Sequence, residues 1–238
     1  EKGDLVRGVQ ALANMADSLN VSVPVGKDSL SMKVNWKEGQ SEHTVTSPMT
    51  LNISSFSNVN DLNKSVTPEL SDSDTTLLHL WAHSDKYRLG GSALYQSFKL
   101  YGGATPDIDD ANQFKVLFEA TQELLDKDFI EALHDISDGG LITSLIEMAL
   151  CSNQGLDINL DYSDKEQLVP KLFSEEIGLV IEVKNEKLES VRNYLNEKEL
   201  FFENIAKKND KKKININCFK EEVFSEDLNT LFNQWSKV

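Results

Sequence analysis

Between Asp4 and Asn20 the apolar residues Leu5, Val9, Leu12, Met15, Ala16 and Leu19 recur at helical spacing, which predicts an amphipathic helix. A short apolar run, Val21 to Val25, reads as a strand, and Gly26 to Ser31 as a loop. Lys37 to Glu42 is polar, contains Gly39 and reads as a hairpin turn. Thr46 to Phe56 reads as a strand with Met49, Leu51 and Ile53 on one face. Ser57 to Asp74 is rich in Ser, Asn and Asp and holds the expected domain boundary, set at 62/63.

Beyond it, strand and helix patterns alternate. Strands are expected at Thr75–Ala82, Phe129–His134, Leu156–Leu160, Gly178–Val183, Phe201–Ala206 and Lys213–Phe219, the last two joined by a Lys- and Asn-rich turn. Helices are expected at Ser92–Tyr101, Ala111–Leu125, Leu141–Cys151, Leu188–Leu195 and Asp227–Trp235. That order predicts an α/β domain on a mixed sheet.

Composition narrows the function classes. The chain has 238 residues, 39% hydrophobic and 26% charged, the balance of a soluble globular protein. No apolar run approaches the length of a membrane span, and no signal-cleavage pattern is present. A net charge of -15 argues against nucleic acid and anionic membranes as main partners. It leaves phosphate open, because a local lysine and backbone amides can hold phosphate inside an acidic protein. Cys151 and Cys218 have no metal-site spacing and read as reduced, buried, structural thiols of a cytoplasmic protein. The chain opens on Glu1 inside a helical pattern, as a piece of a longer protein would.

Three stretches carry candidate chemistry. The first is VGKDSLSM (25–32): a glycine admits close backbone approach, Lys27 supplies a point charge for phosphate, and Asp28 can ligate magnesium or orient the lysine. It is not a Walker A loop, and a plain turn with a solvated Lys-Asp pair is the alternative. The second is RLGGSAL (88–94), where Gly90 and Gly91 precede a helix with Ser92 as a suitable N-cap; an ordinary strand-to-helix loop reads equally well. The third is HDISDGGL (134–141), at the end of a strand and the start of a helix. There α/β folds place ligand loops, and two carboxylates with a hydroxyl suit a magnesium-phosphate site. Its structural alternative makes Asp138 an N-cap and His134 a satisfied core residue. Asp107, Asp109 and Asp110 read as a helix N-terminal acidic cluster, and Lys207 to Lys213 as a solvated turn. Glu175 and Glu176, in FSEEIG (173–178), read as functional or merely exposed.

In this order the stretches resemble one family, phosphoribosylformylglycinamidine synthase. VPVGKDSLSMKV (23–34) looks like its central motif, followed by TSPMTLNISSF (46–56), VTPEL (66–70), RLGGSAL, HDISDGGL and FSEEIGLVIEV (173–183). The resemblance runs from about Gly8 to Val183 and weakens after that. HDISDGGL is shared with a wider superfamily that includes aminoimidazole ribonucleotide (AIR) synthetase, whereas GKDSLSM discriminates.

The resemblance implies the tail of an AIR-synthetase-like N-type domain (1–62) followed by a C-type domain (63–238), taken from the second synthetase half of the large enzyme. It implies a glutamine-dependent carbon-nitrogen ligase of purine biosynthesis, in which ATP phosphorylates formylglycinamide ribonucleotide and ammonia from glutamine displaces the phosphate. ATP and magnesium are the implied ligands. The implied partners are the enzyme's first synthetase half and its glutaminase domain. Residue by residue, Asp135 matches the magnesium ligand and Ser137 a nucleotide contact. Lys27 and Asp28 fall in the central motif, with phosphate and metal roles, and Gly90 and Gly91 shape the same site. Neither cysteine matches the glutaminase nucleophile. The family's other magnesium ligands lie upstream of Glu1, so the chain alone is expected to be inactive. Two alternatives stay open: a structural half that holds ADP and magnesium without turnover, and a related enzyme such as AIR synthetase or a selenophosphate synthetase.

Overall fold

A computed structural model describes residues 2–27, 33–59, 61–82, 86–160 and 165–237. The chain divides into two compact units, 1–60 and 61–238.

The first unit contains helix α1 (Lys2–Leu19) and a hairpin of β1 (Lys33–Glu38) and β2 (Ser41–Thr46). The strands pair antiparallel with Glu38 opposite Ser41, across a turn in which Gly39 has φ +61°. The half-buried positions of α1 are Leu5, Gly8, Leu12, Met15, Ala16 and Leu19, nearly the stripe that the periodicity marks. The exception is Val9, which is exposed. Two expected strands are absent from this unit. Val21 to Val25 is irregular and exposed, with Pro24 inside it; 47–59 is also irregular, with Pro48 near its start. A proline removes a ladder donor, and among the described residues these apolar runs pair with no strand. The expected loop at Gly26 to Ser31 falls largely outside the described residues.

The second unit opens with β3 (Thr75–Trp81), α2 (Ala93–Ser97), α3 (Ala111–Asp126), β4 (Ala132–Asp135) and α4 (Gly140–Ser152). Then come β5 (Gly155–Leu160), α5 (Leu168–Phe173), β6 (Gly178–Lys184), α6 (Leu188–Glu197), β7 (Phe201–Asn209), β8 (Lys213–Cys218), β9 (Glu221–Asp227) and α7 (Leu228–Trp235). The seven strands form one sheet, ordered β4-β6-β3-β7-β5-β8-β9. It is mixed, as expected: β5 and β8 run parallel and the other neighbours antiparallel.

β3 is buried at all seven positions, as a central strand covered on both faces must be. Its side chains alternate between two cores. Leu77 joins α4, Leu172 of α5 and Leu228 of α7 in one core. Leu78 and Leu80 join Leu117, Ala120 and Leu124 of α3 and Val191 and Leu195 of α6 in the other.

Several boundaries depart from expectation for local reasons. α2 stops at Ser97 rather than Tyr101, because Lys99 turns left-handed with φ +55°. β4 starts three residues late, because the chain leaves α3 through Asp128 with φ +55°. The expected lysine turn shrinks to Asp210 and Lys211, since Lys207 and Lys208 belong to β7. β9 was not anticipated. Its hairpin turns through Phe219 and Lys220, both with positive φ, where such turns usually carry Asn-Gly or Asp-Gly. Cys218 is buried as expected, but Cys151 is exposed.

One polar cluster ties the entry segment to the sheet. Glu182 of β6 is fully buried. It accepts hydrogen bonds from Thr75 Oγ1 (2.7 Å), Lys208 Nζ (2.9 Å) and the Ser71 amide (2.8 Å). Lys208 also donates to the carbonyl oxygens of Ser73 (2.6 Å) and Ser71. Removing one member of a buried pair strands the other charge, at about 3–5 kcal/mol. Glu182→Ala is therefore expected to lower the unfolding free energy in urea by about that much. A loss near that of an exposed pair, about 1 kcal/mol or less, would show the cluster to be dispensable.

Candidate functional site

β4 and β3 flank β6 and both run antiparallel to it. The C-terminal ends of β3 and β4 and the start of β6 therefore share one end of the sheet. The stretches 88–94, 134–141 and 173–178 gather there.

Asp135 closes β4 with its carboxylate 69% exposed, and Ser137 and Asp138 are exposed in the loop that follows. His134 is satisfied in place: its ring nitrogens lie 2.8 Å from the Asp135 carbonyl oxygen and 3.1 Å from Glu147. Asp138 does not cap α4. The N-cap is Gly139, with φ +89° and no side-chain cap bond. Gly140, φ +74°, is a forced glycine, since a Cβ there would lie 2.6 Å from the Ser174 carbonyl oxygen and 2.8 Å from that of Leu172. This close approach seats the start of α4 on the backbone leaving α5.

Gly90 is forced in the same way. Its amide donates to the Ala104 carbonyl oxygen at 2.8 Å, and a Cβ would lie 2.6 Å from that oxygen. Gly91 has φ +77°. Ser92 caps α2 as expected, accepting from the Tyr95 amide.

The segment between α5 and β6 joins these loops, and its two glutamates are not idle surface residues. Glu175 Oε1 accepts from the Ala93 amide (2.7 Å) and the Gly139 amide (2.9 Å). Glu176 is buried and grips Arg88 through Nε (2.6 Å), Nη2 (2.7 Å) and the backbone amide (3.0 Å). The Arg88 guanidinium also reaches Asp109 at 3.1 Å. The Glu176 partner raises the pKa of Arg88, and Lys86, ahead of Arg88, holds the Asp109 carboxyl below its usual range. Asp110 caps α3 through the amides of Asn112 and Gln113. The acidic run is thus part cap and part ion pair. The signal that marks Glu175 and Glu176 in the sequence is their place between a helix and a strand that starts on glycine.

Beside these loops lies a buried ionisable cluster that the sequence did not announce. Glu203 of β7 sits 3.2 Å from His79 Nδ1 and 2.6 Å from Lys171 Nζ. The Trp81 ring lies 4.9 Å from His79, and Lys171 stands 5.4 Å above it. Burial pushes the His79 pKa down. Burial also pushes Glu203 up, but the hydrogen bond from His79 and the charge of Lys171 outweigh it and hold that carboxyl low.

Of the remaining candidates, Lys27 is exposed on the irregular stretch of the first unit, and Asp28 lies outside the described residues. Among the described residues no group of three or more His, Cys, Asp or Glu could hold a metal. The exposed carboxylate of Asp135 fits magnesium only where ligand phosphates and water complete the shell. Among the described residues no helix is long and apolar enough to cross a membrane.

The FGAR-AT PurM_N-like domain family matches residues 1–58, and the AIR synthase related protein, C-terminal domain, matches 81–218. Among solved structures, Thermotoga maritima PurL complexed with ATP aligns at TM-score 0.65 and 14% identity, over 94% of this chain and 34% of that one. The same enzyme complexed with FGAR aligns at 0.66 and 15%, over 92% and 36%. Phosphoribosylformylglycinamidine synthase II from Thermotoga maritima aligns at 0.63 and 13%, over 92% and 34%. At these identities the likeness is one of fold, and the chain spans about a third of the length of these structures.

The buried cluster generates a pH prediction. A neutral His79 in the fold means that, as pH falls through the ordinary value of 6.5, the unfolded chain takes up a proton that the folded one refuses. Stability is therefore full above that pH and lost below it, by at most about 1.4 kcal/mol per pH unit. His79→Gln is expected to show a smaller drop in urea midpoint between pH 7.5 and 5.5 than the parent chain. Equal drops would mean that His79 charges freely in the fold.

Proposed function

Because this chain belongs to the AIR synthase related family through its C-terminal domain, we propose that it is a segment of phosphoribosylformylglycinamidine synthase and contributes a nucleotide-binding surface to it. The observation that carries the proposal is the tandem order of the two family matches, an FGAR-AT PurM_N-like domain followed by an AIR synthase related C-terminal domain. The structures it resembles in fold include PurL complexed with ATP and with FGAR, which supports the same reading.

In that enzyme the amide oxygen of formylglycinamide ribonucleotide takes the γ-phosphoryl group of ATP. Ammonia from glutamine then displaces phosphate to give the amidine. Phosphoryl transfer asks a protein mainly for positioning and for charge near the moving group. We assign Asp135 to magnesium and Ser137 to the nucleotide, both on the exposed loop at the end of β4. Magnesium bound there would offset negative charge on the phosphates. Gly90 and Gly91 shape the neighbouring wall, and Lys27 and Asp28, in the first unit, are assigned phosphate and metal roles by the central motif. One carboxylate is a sparse metal site, and a centre assembled across several domains cannot form from one of them. The chain alone is therefore expected to give no turnover with ATP, ammonia and formylglycinamide ribonucleotide.

Titration calorimetry of magnesium-ADP into this chain tests the assignment. Micromolar binding that Asp135→Asn abolishes is the expected outcome. Binding that survives the substitution unchanged would remove Asp135 from the site, and steady-state turnover by the isolated chain would overturn the expectation of inactivity.

A further inference from the structure

The carboxylate pair between α5 and β6 belongs to neither glycine loop, yet both loops hang from it. Glu175 and Glu176 reach different targets. Glu176 holds Arg88, at the root of the 88–92 loop. A single oxygen of Glu175 takes the amide of Ala93, at the end of that loop, and the amide of Gly139, in the loop after β4.

We infer that Glu175 is a positioning residue that locks the 88–92 and 135–139 loops into one ligand-facing wall, a role that rests on the nucleotide reading given above. Two consequences follow from its geometry. The Gly139 amide is turned inward to the carboxylate, which leaves the Asp135 and Ser137 side chains on the exposed side of the same loop. The two loops also cannot shift independently, because one acceptor atom fixes both. Gly140, packed against the Ser174 and Leu172 carbonyls, holds the pivot of this arrangement from below. An acceptor, rather than a charge as such, is what the two amides require. Glutamine at 175 can supply that acceptor, and alanine cannot.

The experiment compares the parent chain, Glu175→Gln and Glu175→Ala by magnesium-ADP titration and by amide hydrogen exchange. Glu175→Ala is expected to weaken magnesium-ADP by roughly tenfold to a hundredfold, the usual effect of removing a partner that orients a ligating group. It should speed exchange at Gly139 and Ala93 while Leu78 and Ile181 in the core stay protected, which separates a loosened wall from a failed fold. Glu175→Gln should restore both readouts. Parent-like affinity and protection in Glu175→Ala would overturn the inference, as would a glutamine variant as impaired as alanine. If the parent chain binds no magnesium-ADP, the nucleotide reading falls, and exchange at the two amides alone decides the role of Glu175.

Discussion

The loop end of the sheet depends on how closely two backbones meet. The first turn of α4 lies against the carbonyl oxygens of Leu172 and Ser174, in a gap that a Cβ on Gly140 would close to 2.6 Å. Only glycine serves there, for space and for its φ of +74°. This contact fixes where α4 begins, and hence how the 135–139 loop leaves β4. The same segment then enters β6, which pairs with both β3 and β4. The strand that organises the sheet and the backbone that seats the loop are therefore one continuous piece of chain.

The same end of the sheet keeps most of its carboxylates in defined pairs. With a net charge of -15, a phosphate ligand would meet repulsion at a site bordered by free carboxylates. Several carboxylates near the glycine loops are already engaged. Glu176 is neutralised by Arg88, Asp109 by Arg88 and Lys86, and Glu175 faces two backbone amides. Asp135 and Asp138 stay exposed at the end of β4.

The sequence made the second unit legible wherever one period persisted. α3, α4, α6 and the strands around them stand close to where their apolar spacing put them, because each packs one face on a core that the sequence pattern encodes. It misled where apolarity came without a pairing partner, as at Val21–Val25 and 47–56, and where turns used residues with no turn signature, as at Phe219 and Lys220. The glycines at 90, 91, 139 and 140 were visible as a motif. The need for Gly140 was not, because the backbone it meets lies more than thirty residues away in sequence. Glu175 stood out in the sequence, but its two amide partners did not, since an acceptor for main-chain amides has no residue pattern of its own.

The two units also differ in what holds them together. Every buried residue among those described belongs to the second unit; in the first, none is buried and Val6, Val9, Val34, Val45, Leu51 and Ile53 are exposed. A lone two-stranded hairpin is marginal in water, and a helix in a protein draws most of its stability from packing its amphipathic face. The stripe on α1 and the β1–β2 register are therefore local order encoded by the sequence, and the burial that would stabilise them is not supplied within the unit itself. The second unit, with two cores and an internally satisfied loop end, can carry the Asp135 surface on its own contacts.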